Sequence, residues 1–178
     1  DVEIPVTEDP VSYSVKMYKD VLSEGDRAVL RMTVVNPTSE SEIVSVQATV
    51  INNGEVVGVF EKQLIIKSGT KSTKHLYMID VECNTLAGLY EVVVEWDGSE
   101  QQKDILGFSV LECTKIKATL SLGKLVYDLN EVANVNVNLE NLGNVLVVGD
   151  LVLELESNET YRLAKFDSIP LGVGEAYG

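Results

Sequence analysis

Two cysteines, one histidine, one glycan acceptor and a scatter of carboxylates are the residues of this chain whose types and spacing could do chemistry. Cys83 in DVECNT and Cys113 in VLECTK are the whole thiol complement. Between them lie YEVVVEW (90–96) and DILGFSV (104–110), joined by DGSEQQK (97–103). If these two segments form a hairpin, the start of the first lies beside the end of the second. Both cysteines then fall at one end, within reach of a disulfide. The bond would close a loop of 31 residues counted inclusively from Cys83 to Cys113 and contribute about 3 kcal/mol. In a reducing cytosol the same pair would be two unrelated small residues; the secreted look of the rest of the chain favours the bridge.

The other candidates carry less. Asn158 in SNETY is an N-x-T glycosylation acceptor in a predicted turn, whereas Asn36-Pro37-Thr38 is excluded by its proline. His75 is the only histidine, so no histidine metal cluster can form, and its place in KHLYM reads as a strand surface rather than a general base. Glu24, Asp26, Asp97, Glu100, Asp128 and Glu131 put carboxylates near predicted sheet ends. Calcium takes roughly 6–8 oxygens, and no segment matches an EF-hand loop, so these read as solvated turns. There is no G-x-S-x-G, G-x-G-x-x-G or P-loop spacing. No catalytic residue, metal or cofactor is expected, and the chain reads as not an enzyme.

The elements that would position these residues are strands. Apolar content is 45% with few aromatics, and valine dominates it, which suits half-buried strands. YSVKM (13–17), AVLRMTVV (28–35), VSVQATV (44–50) and YEVVVEW alternate apolar and polar residues, separated by the turn clusters SEGD (23–26), NPTSES (36–41), NNGE (52–55), KSGTKS (67–72) and DGSEQQ (97–102). Tyr90 and Trp96 fall on one apolar face and read as core. A net charge of -14 disfavours nucleic acid and anionic membrane. No apolar run approaches the ~20 residues of a membrane span. The first residue is Asp1 rather than Met, as a trimmed start or a removed signal peptide would leave.

The second half repeats the first. Asn36 in VVNPT and Asn141 in LENLG stand 105 residues apart, and holding that shift places Leu30 on Val135, Met32 on Val137, Val34 on Leu139, and Val46, Ala48 and Val50 on Leu151, Leu153 and Leu155. The alternation stays in phase through the intervening loop, as two copies of one domain require. The boundary falls near Cys113–Lys115 with almost no linker, which predicts a stiff rod. SIPLGVGEAYG (168–178) then corresponds to the segment just before KHLYMIDV (74–81), and no counterpart of that strand or the two after it is expected. Three explanations stay open: a fragment of a longer protein, a smaller second copy, or a copy completed by strands of another chain.

The run LSEGDRAVLRMTVVNPTSESEIVSVQATV (22–50), with its echo YDLNEVANVNVNLENLGNVLVVGDLVLEL (127–155), resembles the immunoglobulin-like repeats of archaeal and bacterial surface proteins: the CARDB-type and S-layer-associated modules. AGLYEVVVEW adds the small-Gly-x-Tyr opening that in such sandwiches forms a tyrosine corner, with Tyr90 bonding back to the preceding loop. The resemblance implies spacer or adhesion modules, or domains appended to larger extracellular proteins.

The expectation is an all-β chain of two tandem immunoglobulin-like antiparallel β-sandwiches, residues 1–113 and 114–178, the second incomplete. Its expected role is a non-catalytic structural or adhesion segment outside the cell or on its surface, in a surface layer or filament. Other protein chains or cell-surface components would be its partners, with self-association through open sheet edges. The alternative is an accessory spacer or carbohydrate-binding region of a larger secreted hydrolase.

Overall fold

The structure, a computed structural model, describes residues 2–7, 9–98, 101–128, 130–156 and 160–178. Among them every regular element is a strand. Two compact units result: Asp1–Glu82 with Ala87–Leu111, and Cys83–Leu86 with Glu112–Gly178.

The first unit holds β1 (Val2–Glu3), β2 (Ser12–Met17), β3 (Val21–Leu22), β4 (Arg27–Asn36), β5 (Glu42–Asn52), β6 (Glu55–Ile66), β7 (Thr70–Asp80), β8 (Gly88–Asp97) and β9 (Gln101–Val110). They form a four-stranded sheet, β1-β7-β4-β2, and a five-stranded sheet, β3-β9-β8-β5-β6. All pairings are antiparallel except the short β3, which runs parallel to β9. A first edge segment that leaves one sheet and joins the last strand of the other is the immunoglobulin arrangement. KSGTKS does not stay a turn throughout: β7 begins at Thr70, because Thr70 and Lys71 continue the ladder against β4.

Alternation becomes a core because each strand turns one face inward. Ala28, Leu30, Met32 and Val34 from β4 meet Val44, Val46, Ala48 and Val50 from β5 and Val92, Val94 and Trp96 from β8, all buried. Across the sandwich the Tyr13 ring stacks on Trp96, centroids 5.1 Å apart. The β5–β6 hairpin closes on Asn53 and Gly54, with φ of 49° and 83°. Two successive left-handed residues make the type I′ turn whose twist matches a two-residue hairpin.

The second unit holds β10 (Ile116–Leu122), β11 (Val135–Asn141), β12 (Val147–Glu156), β13 (Thr160–Leu171) and β14 (Ala176–Tyr177). They form a three-stranded sheet, β10-β11-β14, and a two-stranded sheet, β12-β13. The internal repeat holds at the level of register. Ser12 opposite Val35 becomes Lys117 opposite Glu140; Glu42 opposite Ile66 becomes Val147 opposite Leu171; Val35 opposite Lys71 becomes Glu140 opposite Ala176. β14 is therefore the start of a β7 counterpart, one element more than the sequence expectation allowed. Counterparts of β8 and β9 do not occur in the described residues of this unit.

Candidate functional site

Cys83 and Cys113 form a disulfide, with their Cα atoms 5.2 Å apart. The bond lies within the second unit, where it holds the short segment 83–86 against the stretch that begins at residue 112. Asn144 reinforces the same junction. Its Oδ1 accepts from the Cys113 amide at 2.6 Å, its Nδ2 donates to the Thr85 carbonyl at 2.7 Å, and its own amide donates to the Cys113 carbonyl. Tyr90 is buried and its ring stacks on Phe108 at 4.9 Å. Burial raises its phenol pKa. Asn158 lies outside the described residues.

Two of the acidic turns are occupied by their own chain, and Glu100 lies outside the described residues. Asp26 Oδ2 accepts from the Ser23 amide and hydroxyl and from Lys19 Nζ at 2.5 Å. The Lys19 bond, then those from Ser23, hold its pKa down at about 2. The second copy repeats the device, with Glu131 accepting from the Asp128 amide and paired with Lys124, which lowers its pKa too. His75 is half-exposed on β7, in edge contact with the Tyr18 ring, and its carbonyl accepts from Lys62.

The outer face of β6-β5-β8-β9 forms a shallow groove of about 800 Å³. One transverse row across it is Glu61, Gln47, Glu95 and Lys103, and the next is Gln63, Ser45, Asp97 and Gln101. Gln47 Nε2 donates to Glu61 and Lys103 pairs with Glu95. The outward row beyond them, Val59, Thr49, Val93 and Ile105, is mostly apolar.

The most unusual surface belongs to the second unit. Leu30, Met32, Val46, Ala48 and Val50 are at most 1% exposed in the first copy. Their counterparts Val135, Val137, Leu151 and Leu153 are only half-buried, and Leu155 is 54% exposed. Residues opposite each other in an antiparallel pair share a face. Phe166, Ala164 and Tyr161 oppose Leu151, Leu153 and Leu155, so they extend the same apolar face, with Phe166 47% exposed. On the other sheet Leu120 and Leu122 are exposed as well. Only one end is closed. There Asn141 Nδ2 donates to the carbonyls of Val145 and Leu171, and Ile169 and Leu171 are buried beside it. In the first unit the β8–β9 hairpin extends the β5 sheet, and its Tyr90, Val92, Val94 and Trp96 lie beside Asn52, Val50, Ala48 and Val46 on one buried face.

No protein-family model matches the sequence, and no curated protein does. Among solved structures the chain is similar to the class 5 fimbriae chaperone CfaA, at 13% identity over 92% of this chain and 84% of that one, with a TM-score of 0.35. It is similar to Spo0M, a sporulation control protein from Bacillus subtilis, at 9% identity over 86% and 80%, TM-score 0.41. A chain of the CsuC–CsuE chaperone–tip adhesion subunit complex of Acinetobacter baumannii gives 11% identity over 93% and 85%, TM-score 0.36. Likenesses this low carry neither fold nor function to this chain; the immunoglobulin-like assignment rests on its own strand order.

Proposed function

We propose that this chain is a non-catalytic structural or adhesion segment of the cell surface, built of tandem immunoglobulin-like modules and acting through association with other polypeptide. The observation that carries the reading is the repeat itself, one framework built twice in tandem, with Ser12 opposite Val35 recurring as Lys117 opposite Glu140. The disulfide supports an extracytoplasmic place, since such bonds persist in oxidising compartments. The occupied acidic turns leave the sheet faces and edges as the surfaces on offer.

Light scattering of the 178-residue chain across a concentration series, with hydrogen exchange read over residues 115–178, tests this. Exchange that slows in β12 and β13 as chains associate or as a partner is added supports the reading. A monomer whose β12 and β13 amides are already strongly protected sinks it.

The groove on the first unit favours a second reading, an accessory carbohydrate-binding region of a larger secreted hydrolase. Planar amides and carboxylates are groups that hydrogen-bond sugar hydroxyls. Titration with soluble oligosaccharides, repeated on Gln47→Ala and Glu95→Ala, separates the two. Saturable binding lost in both variants would favour the accessory role.

A further inference from the structure

The outer face of the four-stranded sheet in the first unit carries charge opposite in sign to that of the whole chain. Lys16 on β2 stands opposite Arg31 on β4, and Arg31 stands opposite His75 on β7, so three basic side chains form one transverse row. Lys16 and Arg31 are exposed and His75 is half-exposed. The row on one side of them is hydroxylic: Ser14, Thr33 and Thr73, with the two threonine hydroxyls 3.3 Å apart. On the other side two exposed tyrosines, Tyr18 and Tyr77, flank Val29. The Tyr18 ring meets His75 edge-on, and Arg27 lies 5.5 Å from the centre of the Tyr77 ring. These three rows hold no carboxylate, in a chain whose net charge is -14.

The framework does not require this pair of cations. Like charges directly opposite each other destabilise a ladder, and among the described residues neither Lys16 nor Arg31 takes part in an ion pair. The second copy supplies the comparison. At the same register it sets Ser121 opposite Asn136 and Thr119 opposite Asn138. The Lys117–Glu140 pair beyond them is matched in charge, at 3.5 Å. A like-charge pair where a neutral one serves the fold points to a surface that meets an anion.

Charge and spacing select that anion. Neighbouring strands lie about 4.8 Å apart, so the row offers a basic group at that interval across the sheet. Side chains on one face of an extended peptide recur every two residues, about 7 Å, and an acidic peptide is out of step with the row. A chain of sugar rings with a carboxylate on each is closer to it. Arg31 grips a carboxylate with its planar fork and Lys16 with a point charge. Ser14, Thr33 and Thr73 both donate to and accept from sugar hydroxyls, and the tyrosines offer an apolar body with a polar tip. Polymers of higher charge density, nucleic acids and sulfated glycans, are repelled more strongly by the rest of this acidic chain.

We infer that the outer face of the β1-β7-β4-β2 sheet binds an acidic polysaccharide with a carboxylate on each sugar unit, held by Lys16, Arg31 and His75. The site goes beyond the reading proposed above, since it uses one face of the first unit and does not depend on how the modules associate. It is also separate from the groove, which lies on the other sheet.

The test titrates the intact 178-residue chain with a short oligogalacturonate and with a neutral oligosaccharide of the same length, by calorimetry at two salt concentrations. The oligogalacturonate is expected to bind, more weakly as salt rises, and the neutral one not to bind. Lys16→Ser/Arg31→Asn installs the residues of the second copy and is expected to weaken binding about 10-fold or more, with the buried Trp96 reporting an unchanged fold. Lys16→Glu, which pairs with Arg31 and so favours the ladder, is expected to weaken binding as well. Lys16→Arg/Arg31→Lys keeps the charge and should keep most of the affinity, as should Gln47→Ala on the other sheet. Absence of binding, equal binding of the neutral sugar, or full binding by the Lys16→Ser/Arg31→Asn and Lys16→Glu variants overturns the inference. A poly-glutamate peptide or a sulfated glycan that binds more tightly than the oligogalacturonate overturns it too, and assigns the face to that anion. Binding lost in Gln47→Ala but kept in the variants at Lys16 and Arg31 would place the sugar in the groove, in favour of the accessory reading and against this site.

Discussion

Asn36 and Asn141 make the same three hydrogen bonds in the two units. Each Nδ2 donates to the carbonyl four residues on, Glu40 or Val145, and to a carbonyl thirty residues on, Ile66 or Leu171. Each Oδ1 accepts from the amide two residues on, Thr38 or Gly143. A fully buried amide side chain thus terminates one sheet and ties it to the other. An asparagine suits this work because it offers donors and an acceptor at once.

Asn36→Ala is expected to destabilise the first unit by about 3 kcal/mol, because the buried Ile66 carbonyl and the turn lose partners together. Trp96 is the only tryptophan and is buried in that unit, so its fluorescence during urea unfolding reports the loss locally. Asn36→Asp retains the acceptor but forfeits both donated bonds, and is expected to fall between the alanine variant and the parent above the carboxylate pKa only if the new charge finds a cation. The carbonyls of Glu40 and Ile66 would then face a carboxylate in place of a donor, so the aspartate variant should be no more stable than the alanine one.

Much of this fold was legible in the sequence because both copies alternate strictly and share one offset. Val34 and Leu139, or Ala48 and Leu153, could be matched before any coordinates. The core roles of Tyr90 and Trp96, the hairpin that brings Cys83 near Cys113, and the NNGE turn follow from the same period of two. The asparagine ties were not legible, since a polar residue at the end of a strand looks like the start of a turn. Its partners, Ile66 and Leu171, lie thirty residues away. Thr70 and Lys71 look like turn residues in the sequence, and their pairing with β4 starts β7, and with it β14, earlier than the pattern predicts.

The turn around Asp26 predicts an acid sensitivity of definite sign. Its folded pKa of about 2 lies below the ordinary aspartate value near ~3.9. Stability from this group is then fully present above about pH 4 and is lost as pH falls through about 2. Asp26→Asn should lower Tm by a constant amount above about pH 4, and the gap to the parent should shrink toward zero by about pH 2. A gap that stays constant down to pH 2 would mean that the carboxylate's charge contributes nothing to the turn.

Gly143 marks a place where the copies differ in space. A Cβ there would clash with the Cys113 carbonyl and lie 2.9 Å from the Lys115 amide, both backbone atoms that cannot swing aside. Its counterpart in the first unit is Thr38, whose hydroxyl donates to Asn36 Oδ1. Gly143→Ala should therefore push the 113–115 segment off and break the Leu142–Lys115 and Asn144–Cys113 backbone bonds. Faster amide exchange at Leu142 and Asn144, with a loss of roughly 1–3 kcal/mol in the second unit, is the expected outcome. Unchanged exchange would show that the backbone relaxes without cost.

The Cys83–Cys113 bond and Asn144 act on one junction, so their effects should not add. Replacing both cysteines by alanine releases a chain loop whose ends are 30 residues apart in sequence, which by chain entropy costs about 3 kcal/mol. The segment 83–86 would then still be tied by the bond from Asn144 to the Thr85 carbonyl. In the disulfide-bonded chain Asn144→Ala should have a modest effect, because the bridge still holds the segment in place. In the double alanine background the same change should loosen the segment further, raising amide exchange at position 113 and the residues beside it. The sign of that coupling is the measurement: a larger effect of Asn144→Ala without the bridge than with it means that the two share one load, while equal effects would mean that each holds a separate part of the second unit.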